Sequence, residues 1–149
     1  MVMKIKFTIF GEPQGKGRAR VVKQGNFAKA YTPEKTVVYE NLVKMEYQRQ
    51  CGNKRFSDDD MLQLIVFAYY GIPKSTNNKK RELMLQNEIR PTKKPDWDNI
   101  GKIISDSLNK IAYHDDAQIV SAHVIKLYST EPRVVVVIRK INESEEKNI

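Results

Sequence analysis

Four carboxylates mark the two ends of one stretch, Lys93 to Val120 (KKPDWDNIGKIISDSLNKIAYHDDAQIV). Asp96 and Asp98 flank Trp97 near its start, and Asp115 and Asp116 close it, directly before a β-branched run. Converging carboxylates repel one another unless a cation sits among them. Hard divalent ions take such oxygens, and Mg²⁺ typically uses one or two carboxylates, with waters and phosphate oxygens completing its shell. Lys93 and Lys94 flank the first pair, and Lys102 lies one helical turn beyond Asp98, placed to pair with it or to reach a phosphate. The set as a whole predicts a metal-phosphate site. Taken singly, each Asp also has a plainer use: Asp96 or Asp98 as a helix cap, Asp115 and Asp116 as a solvated turn.

Positioning these groups falls to the residues between them. Ile100, Ile103, Ile104, Leu108 and Ile111 recur with helical period, while Asp98, Lys102, Asp106 and Asn109 share the opposite face. One helix thus serves the core with one side and presents polar groups on the other, with Asn109-Lys110 as a weak stop. Upstream, Met3 to Phe10 alternates strictly and predicts a half-buried strand. Gly11 to Arg20 reads as a glycine-rich basic loop. It does not match the phosphate-cradling loop of NTPases, because no Lys-Ser/Thr pair follows its glycines. Lys16, Arg18, Arg20 and Lys23 have no acidic neighbour from Gln14 to Gln24, so the loop suits a phosphate chain, which glycines let the backbone approach.

Asn26 to Tyr31 predicts a short strand. Thr32-Pro33-Glu34 then starts a helix running to about Gln50 with Val38, Leu42 and Met45 as its buried stripe, ended by Gly52-Asn53. Asp58-Asp59-Asp60 reads as a solvated turn. Leu62 to Ile72 is the most apolar run and the expected central strand, ended by Pro73. Lys74 to Arg90 is a basic insertion with a helical pattern at Arg81 to Leu85. Its Lys79, Lys80 and Arg81, continued by Lys93 and Lys94 beyond it, make an expected phosphate-holding arm beside the acids, the plainer reading being a solvated surface helix. Gln118 to Tyr128 and Arg133 to Ile141 predict a terminal hairpin turned by Thr130-Glu131-Pro132. Val134 to Ile138 is apolar on both faces, which places it inside the sheet or at a dimer interface. His114 and His123 are not brought together by any spacing, so zinc is not expected.

The chain of 149 residues is long enough for one core and is expected to form one domain, 1–149, with a charged tail frayed from Asn142. A net charge of +8 favours a polyanionic partner. The lone Cys51 excludes an intrachain disulfide and suits a reducing cytosol. No run approaches the ~20 apolar residues of a membrane span, and no signal-peptide pattern precedes the first strand. A cytoplasmic protein with no membrane contact is the expectation.

PDWDN, Lys102, Asp106-Ser-Leu-Asn109 and DDAQ together resemble the signature of the RusA family of Holliday-junction resolvases. The family pattern, P-D-x-D-N-x-x-K-x-x-x-D-x-L-N followed by D-D-x-Q, is matched at every position. Trp97 is a mild departure, since relatives more often carry an aliphatic residue there. The Gly-Lys-x-Arg-x-Arg loop and the Tyr31-Thr-Pro33 helix entry extend the likeness. The resemblance implies a homodimeric, Mg²⁺-dependent endonuclease, with Mn²⁺ as a possible substitute, that nicks four-way DNA junctions symmetrically in recombination and repair. It implies metal-binding or catalytic roles for Asp96, Asp98 and Asp116, with Asp115 in support, and an essential role for Lys102. The fold expected is α+β, a small mixed sheet covered by helices. Rival readings are a nuclease for other branched DNA, a catalytically silent junction binder, and an RNA-binding module. The last lacks a visible aromatic stacking signature.

Overall fold

The computed structural model describes residues 3–142. The order of elements is β1 (Lys4–Phe10), β2 (Arg20–Gln24), β3 (Phe27–Tyr31), α1 (Glu34–Cys51), β4 (Leu62–Gly71), α2 (Asn78–Leu85), α3 (Trp97–Ser107), β5 (Ile119–Ser129) and β6 (Arg133–Lys140). Beyond Asn142, the tail expected to fray lies outside the described residues.

Strand alternation builds the main sheet, whose order is β1-β6-β4-β5. β6 runs antiparallel to both its neighbours, and β4 runs parallel to β5. The register aligns like with like. Ile5, Ile138 and Leu64 form one cross-strand row, Phe7, Val136 and Val66 the next, and Ile9, Val134 and Ala68 the third. All nine are buried. These rows face α1 and α3, and burial of such side chains is worth roughly 1.5–3 kcal/mol each relative to exposure. Phe7 meets Tyr47 of α1 edge to face, with ring centroids 5.3 Å apart.

The result is the expected α+β fold with a mixed sheet, but three local expectations fail. β5 and β6 do not pair as a hairpin, because β4 lies between them. The Thr130–Pro132 turn instead crosses over the end of β4 at Gly71, where a Cβ would come within 3.3 Å of the Pro132 ring. That crossing puts β6 inside the sheet, one of the two places its two-sided apolar pattern allows. In α1 the buried stripe is Thr36, Tyr39, Val43, Tyr47 and Cys51. Val38 and Met45 are mostly exposed and Leu42 half-buried, because aromatic Tyr39 and Tyr47, one helical turn either side of Val43, supply more contact area than the aliphatic set. Thr32 does not cap α1: Pro33 occupies the cap position without a side-chain bond. The basic loop ends at Arg20 as expected, and the stretch after it, for which the sequence predicts no element, is a strand. Arg20–Gln24 pairs with Phe27–Tyr31 as a separate two-stranded ribbon.

Candidate active site

α3 is fixed by its apolar stripe. Ile100, Ile103, Ile104 and Leu108 are fully buried, and Ser107 Oγ closes onto the Ile103 carbonyl at 2.5 Å. Gly101 brings the helix close to β5, since a Cβ there would meet Val124 Cγ2 at 3.3 Å. At the start of the helix, Tyr70 Oη of β4 donates to the Pro95 carbonyl at 2.6 Å, anchoring the residue before Asp96. Asp96 occupies the cap position but makes no side-chain capping bond. The capping role is therefore unused, and Asp96 and Asp98 both keep exposed carboxylates.

The chain returns to α3 through a tight turn. Lys110 adopts φ 68° and its N–H donates to the Tyr113 carbonyl, while Ala112 and Tyr113 are buried beneath. Tyr113 Oη donates to the Ser105 carbonyl at 2.6 Å, tying the turn to the helix. Asp115 then caps a single 3-10 turn at Asp116–Gln118, accepting from the Ala117 N–H. Gln118 acts as a bracket. Its carbonyl oxygen accepts from the N–H groups of His114 and Asp115, and its amide donates to the carbonyls of Ser57 and Asp60. Asn109 Oδ1 takes the Asp116 N–H at 2.8 Å. Two motif residues without chemistry of their own, Asn109 and Gln118, thereby aim Asp116 at the flank of α3.

That flank is one wall of a cleft of about 450 Å³, lined by Asp98, Lys102, Ser105, Asp106 and Asp116, with Ile119, Ala122 and Val124 of β5 as its floor. Asp116 carries a carboxyl raised above its ordinary range. Burial is the largest cause, followed by a hydrogen bond to Asp106 and the charges of Asp106 and Asp115, with Asn109 pulling the other way. Asp106 and Asp116 thus crowd two carboxylates on one wall, only partly offset by the Lys16 ammonium 3.6 Å from Asp106, and a cation in the cleft would relieve that repulsion. Asp115, spent on capping, does not line this cleft.

On the other side of the α3 N-terminus lies a basin of about 820 Å³. Asp96 lines it together with Glu12, Lys16, Arg18, Lys35, Lys93 and Lys94. Two of the loop's three glycines are needed for its close packing on α1 and α3. A Cβ on Gly15 would meet Asn99 and Pro95 at 3.0 Å, and one on Gly17 would meet Thr36 Oγ1 at 2.6 Å. Lys16 donates its backbone N–H to the Asn99 carbonyl at 2.9 Å, and its ammonium lies 3.1 Å from Glu40 and 3.6 Å from Asp106. Lys16 therefore pins the loop to α1 and α3, whereas Arg18 and Arg20 make no ion pair among the described residues. Lys79 and Lys80 are exposed on α2, with Arg81 half-buried beside them, and they line neither cavity. Lys126 donates to the Lys93 carbonyl at 2.6 Å and stands over the Tyr70 ring; burial lowers its pKa and the charge of Asp96 partly restores it.

The family model described as Endodeoxyribonuclease RusA matches residues 11–139. The chain belongs to the RusA endodeoxyribonuclease family. It is also 36% identical over 140 residues to "Uncharacterized protein YqaN" of Bacillus subtilis (strain 168), an overlap covering 93% of this chain and 97% of the relative. RusA proteins are nucleases of branched DNA junctions and generally depend on a divalent metal. Among the described residues no three carboxylate, imidazole or thiol groups already form a cage for an ion. The fit rests instead on the Asp106–Asp116 pair with Asp98 on the same cleft wall, enough for an ion that takes most of its shell from water and phosphate. Asp106 is the residue the sequence reading left without a role. Its signal was present in its helical spacing from Asp98 and Lys102, but nothing local indicated that Asp116 would fold back onto it.

Proposed function

We propose that this RusA-family protein is a Mg²⁺-dependent endonuclease that resolves four-way DNA junctions by paired, symmetric nicks, acting in recombination and repair in the cytoplasm. The observation that carries this reading is the joining of Asp98, Lys102, Asp106 and Asp116 in one cleft beside a cation-lined basin. Asp98, Asp106 and Asp116 hold the ion, and Asp96 contributes a further carboxylate from the basin side. Asp115 acts by orienting the turn that carries Asp116. Bound Mg²⁺ supplies Lewis-acid stabilisation of phosphoryl oxygens and a more acidic water. Lys102 neutralises charge at the scissile phosphate from one wall of the cleft. Arg18, Arg20, Lys93 and Lys94 hold flanking phosphates, and the exposed Lys79, Lys80 and Arg81 arm extends that contact. Ligand carboxylates must be deprotonated, so metal affinity should weaken as pH falls and Asp116 retains its raised-pKa proton.

A four-way junction offers two equivalent phosphates, and one chain carries one such cleft, so the working unit is a C₂ homodimer. The face of the sheet opposite the helices supports this. There Ile65, Phe67, Tyr69, Val135 and Val137 line an open groove rimmed by Lys4, Lys6 and Arg133. The test is a labelled synthetic four-way junction incubated with and without Mg²⁺. Paired nicks on opposing strands only with the ion support the reading; an uncut junction, or cleavage unaffected by chelator, overturns it.

A further inference from the structure

Apart from the cleft and the basin, the most unusual surface is the β2–β3 ribbon. All five residues of each strand are exposed, so the ribbon contributes no side chain to the buried core. Phe27 is 80% exposed, at the strand end beside the two-residue Gly25–Asn26 turn, and Tyr31 and Val22 are exposed at the 40% level. A solvated large aromatic at the tip of a projecting hairpin serves no core.

The pairing register shows how these residues are arranged. Gln24 faces Phe27, Val22 faces Lys29, and Arg20 faces Tyr31. Directly opposed residues share a face, and residues two apart along a strand do so as well. Phe27, Lys29 and Tyr31 therefore line one face in the order aromatic, cation, aromatic, with Arg20 across from Tyr31. The other face carries Val21, Lys23, Ala28 and Ala30 and has no aromatic ring. Phe27 and Tyr31 stand about 13 Å apart along the strand, with Lys29 midway. From Pro13 to Pro33 the chain holds five cations and no acid, and of these only Lys16 is ion-paired among the described residues. A second cavity at the foot of the ribbon, lined by Arg18, Arg20, Pro33 and Lys35, shares Gln14, Gly15, Arg18 and Lys35 with the basin, so the ribbon opens onto the path to Asp96.

From this juxtaposition we infer that the Phe27–Lys29–Tyr31 face is a stacking platform for unpaired DNA bases, with Lys29 and Arg20 on the intervening phosphates. Alternating rings and cations on a strand face are how nucleic-acid binders hold single strands without reading sequence, because every base has a π-face. The charge pattern favours a polyanion over a second copy of this equally basic chain. The inference rests on the nuclease reading for the choice of DNA over RNA. It adds that the protein senses the unstacked bases at a branch point, and not only duplex phosphates.

The experiment is fluorescence anisotropy in chelator, where no cleavage occurs, with a labelled oligo-dT strand, a linear duplex and a four-way junction. Each single ring removed is expected to weaken binding of the single strand by about fivefold to a hundredfold. F27A/Y31A should therefore lose at least about tenfold on the single strand and weaken on the junction, with duplex affinity changed less than twofold. F27L/Y31L keeps the apolar bulk and should lose as much as F27A/Y31A. Lys29→Ala should lower the salt slope on the single strand by ~0.7. Equal loss on all three DNAs, wild-type affinity in both double variants, or full retention in F27L/Y31L would each overturn the platform. So would a halved particle mass in F27A/Y31A with DNA selectivity unchanged, which would mean a second copy covers the ribbon. If only the nuclease reading is wrong, wild type cuts no junction while single-strand binding still depends on Phe27 and Tyr31.

Discussion

The cleft beside α3 and the β2–β3 ribbon put charged and aromatic groups to opposite structural use. In the cleft every polar group stands on backbone fixed from beneath: α3 by four fully buried aliphatic side chains, Asp116 by Asn109, and its turn by Gln118. On the ribbon no side chain is buried at all. Chemistry at a phosphate needs ligands held within a fraction of an ångström, whereas contact with a branched polyanion tolerates variable geometry. Defects in the two regions should therefore be separable. Damage to the cleft should affect rate, and damage to the ribbon or basin should affect binding.

The largest separation is expected from Lys102→Ala. Losing a charge aimed at the scissile phosphate should slow nicking about 10²- to 10³-fold while junction affinity stays within about threefold, measured by single-turnover cleavage beside anisotropy. A matched fall in both would merge the two regions. Next is ion binding itself. At a hundredfold excess over its Kd, Mg²⁺ should stabilise the fold by about 2.7 kcal/mol, seen as a raised Tm, and Asp106→Asn should shrink that gain. Gln118→Ala removes four hydrogen bonds, three of them exposed and able to regain water, and should cost roughly 0.5–1.5 kcal/mol in denaturant melts, with nicking reduced and duplex binding kept. The smallest effect belongs to the basic loop between the basin and the ribbon. R18A/R20A should weaken binding to every DNA form and lower the salt slope on duplex by ~0.9 per lost contact, and an unchanged slope would make the loop a mere connection.

Much of this was readable in the chain because the relevant signals are local. The α3 stripe, the strict alternation of β1 and the apolar run of β4 each announce an element through its period. The signals that failed are non-local. The β5–β6 hairpin was expected because a three-residue turn normally joins neighbours, whereas here it passes over the end of an intervening strand, close to Gly71. The α1 stripe was misplaced because Tyr39 and Tyr47 are amphipathic and read as surface by type, yet their rings fill the space against β1. The Phe27–Lys29–Tyr31 face is not visible in the sequence because no pattern there predicts a strand over Arg20–Gln24, and without that partner strand no shared face exists. Asp106 was overlooked for a related reason: its meaning comes from Asp116, ten residues on and brought back by a turn.

The most direct test of the central claim, that the α3 cleft performs the reaction while other surfaces hold the DNA, is Asp98→Asn assayed on a four-way junction with Mg²⁺. The variant should form the junction complex as tightly as wild type or more so, since one carboxylate facing phosphate is neutralised, while nicking falls by more than about a hundredfold. Nicking at the wild-type rate by Asp98→Asn would contradict the assignment of the cleft.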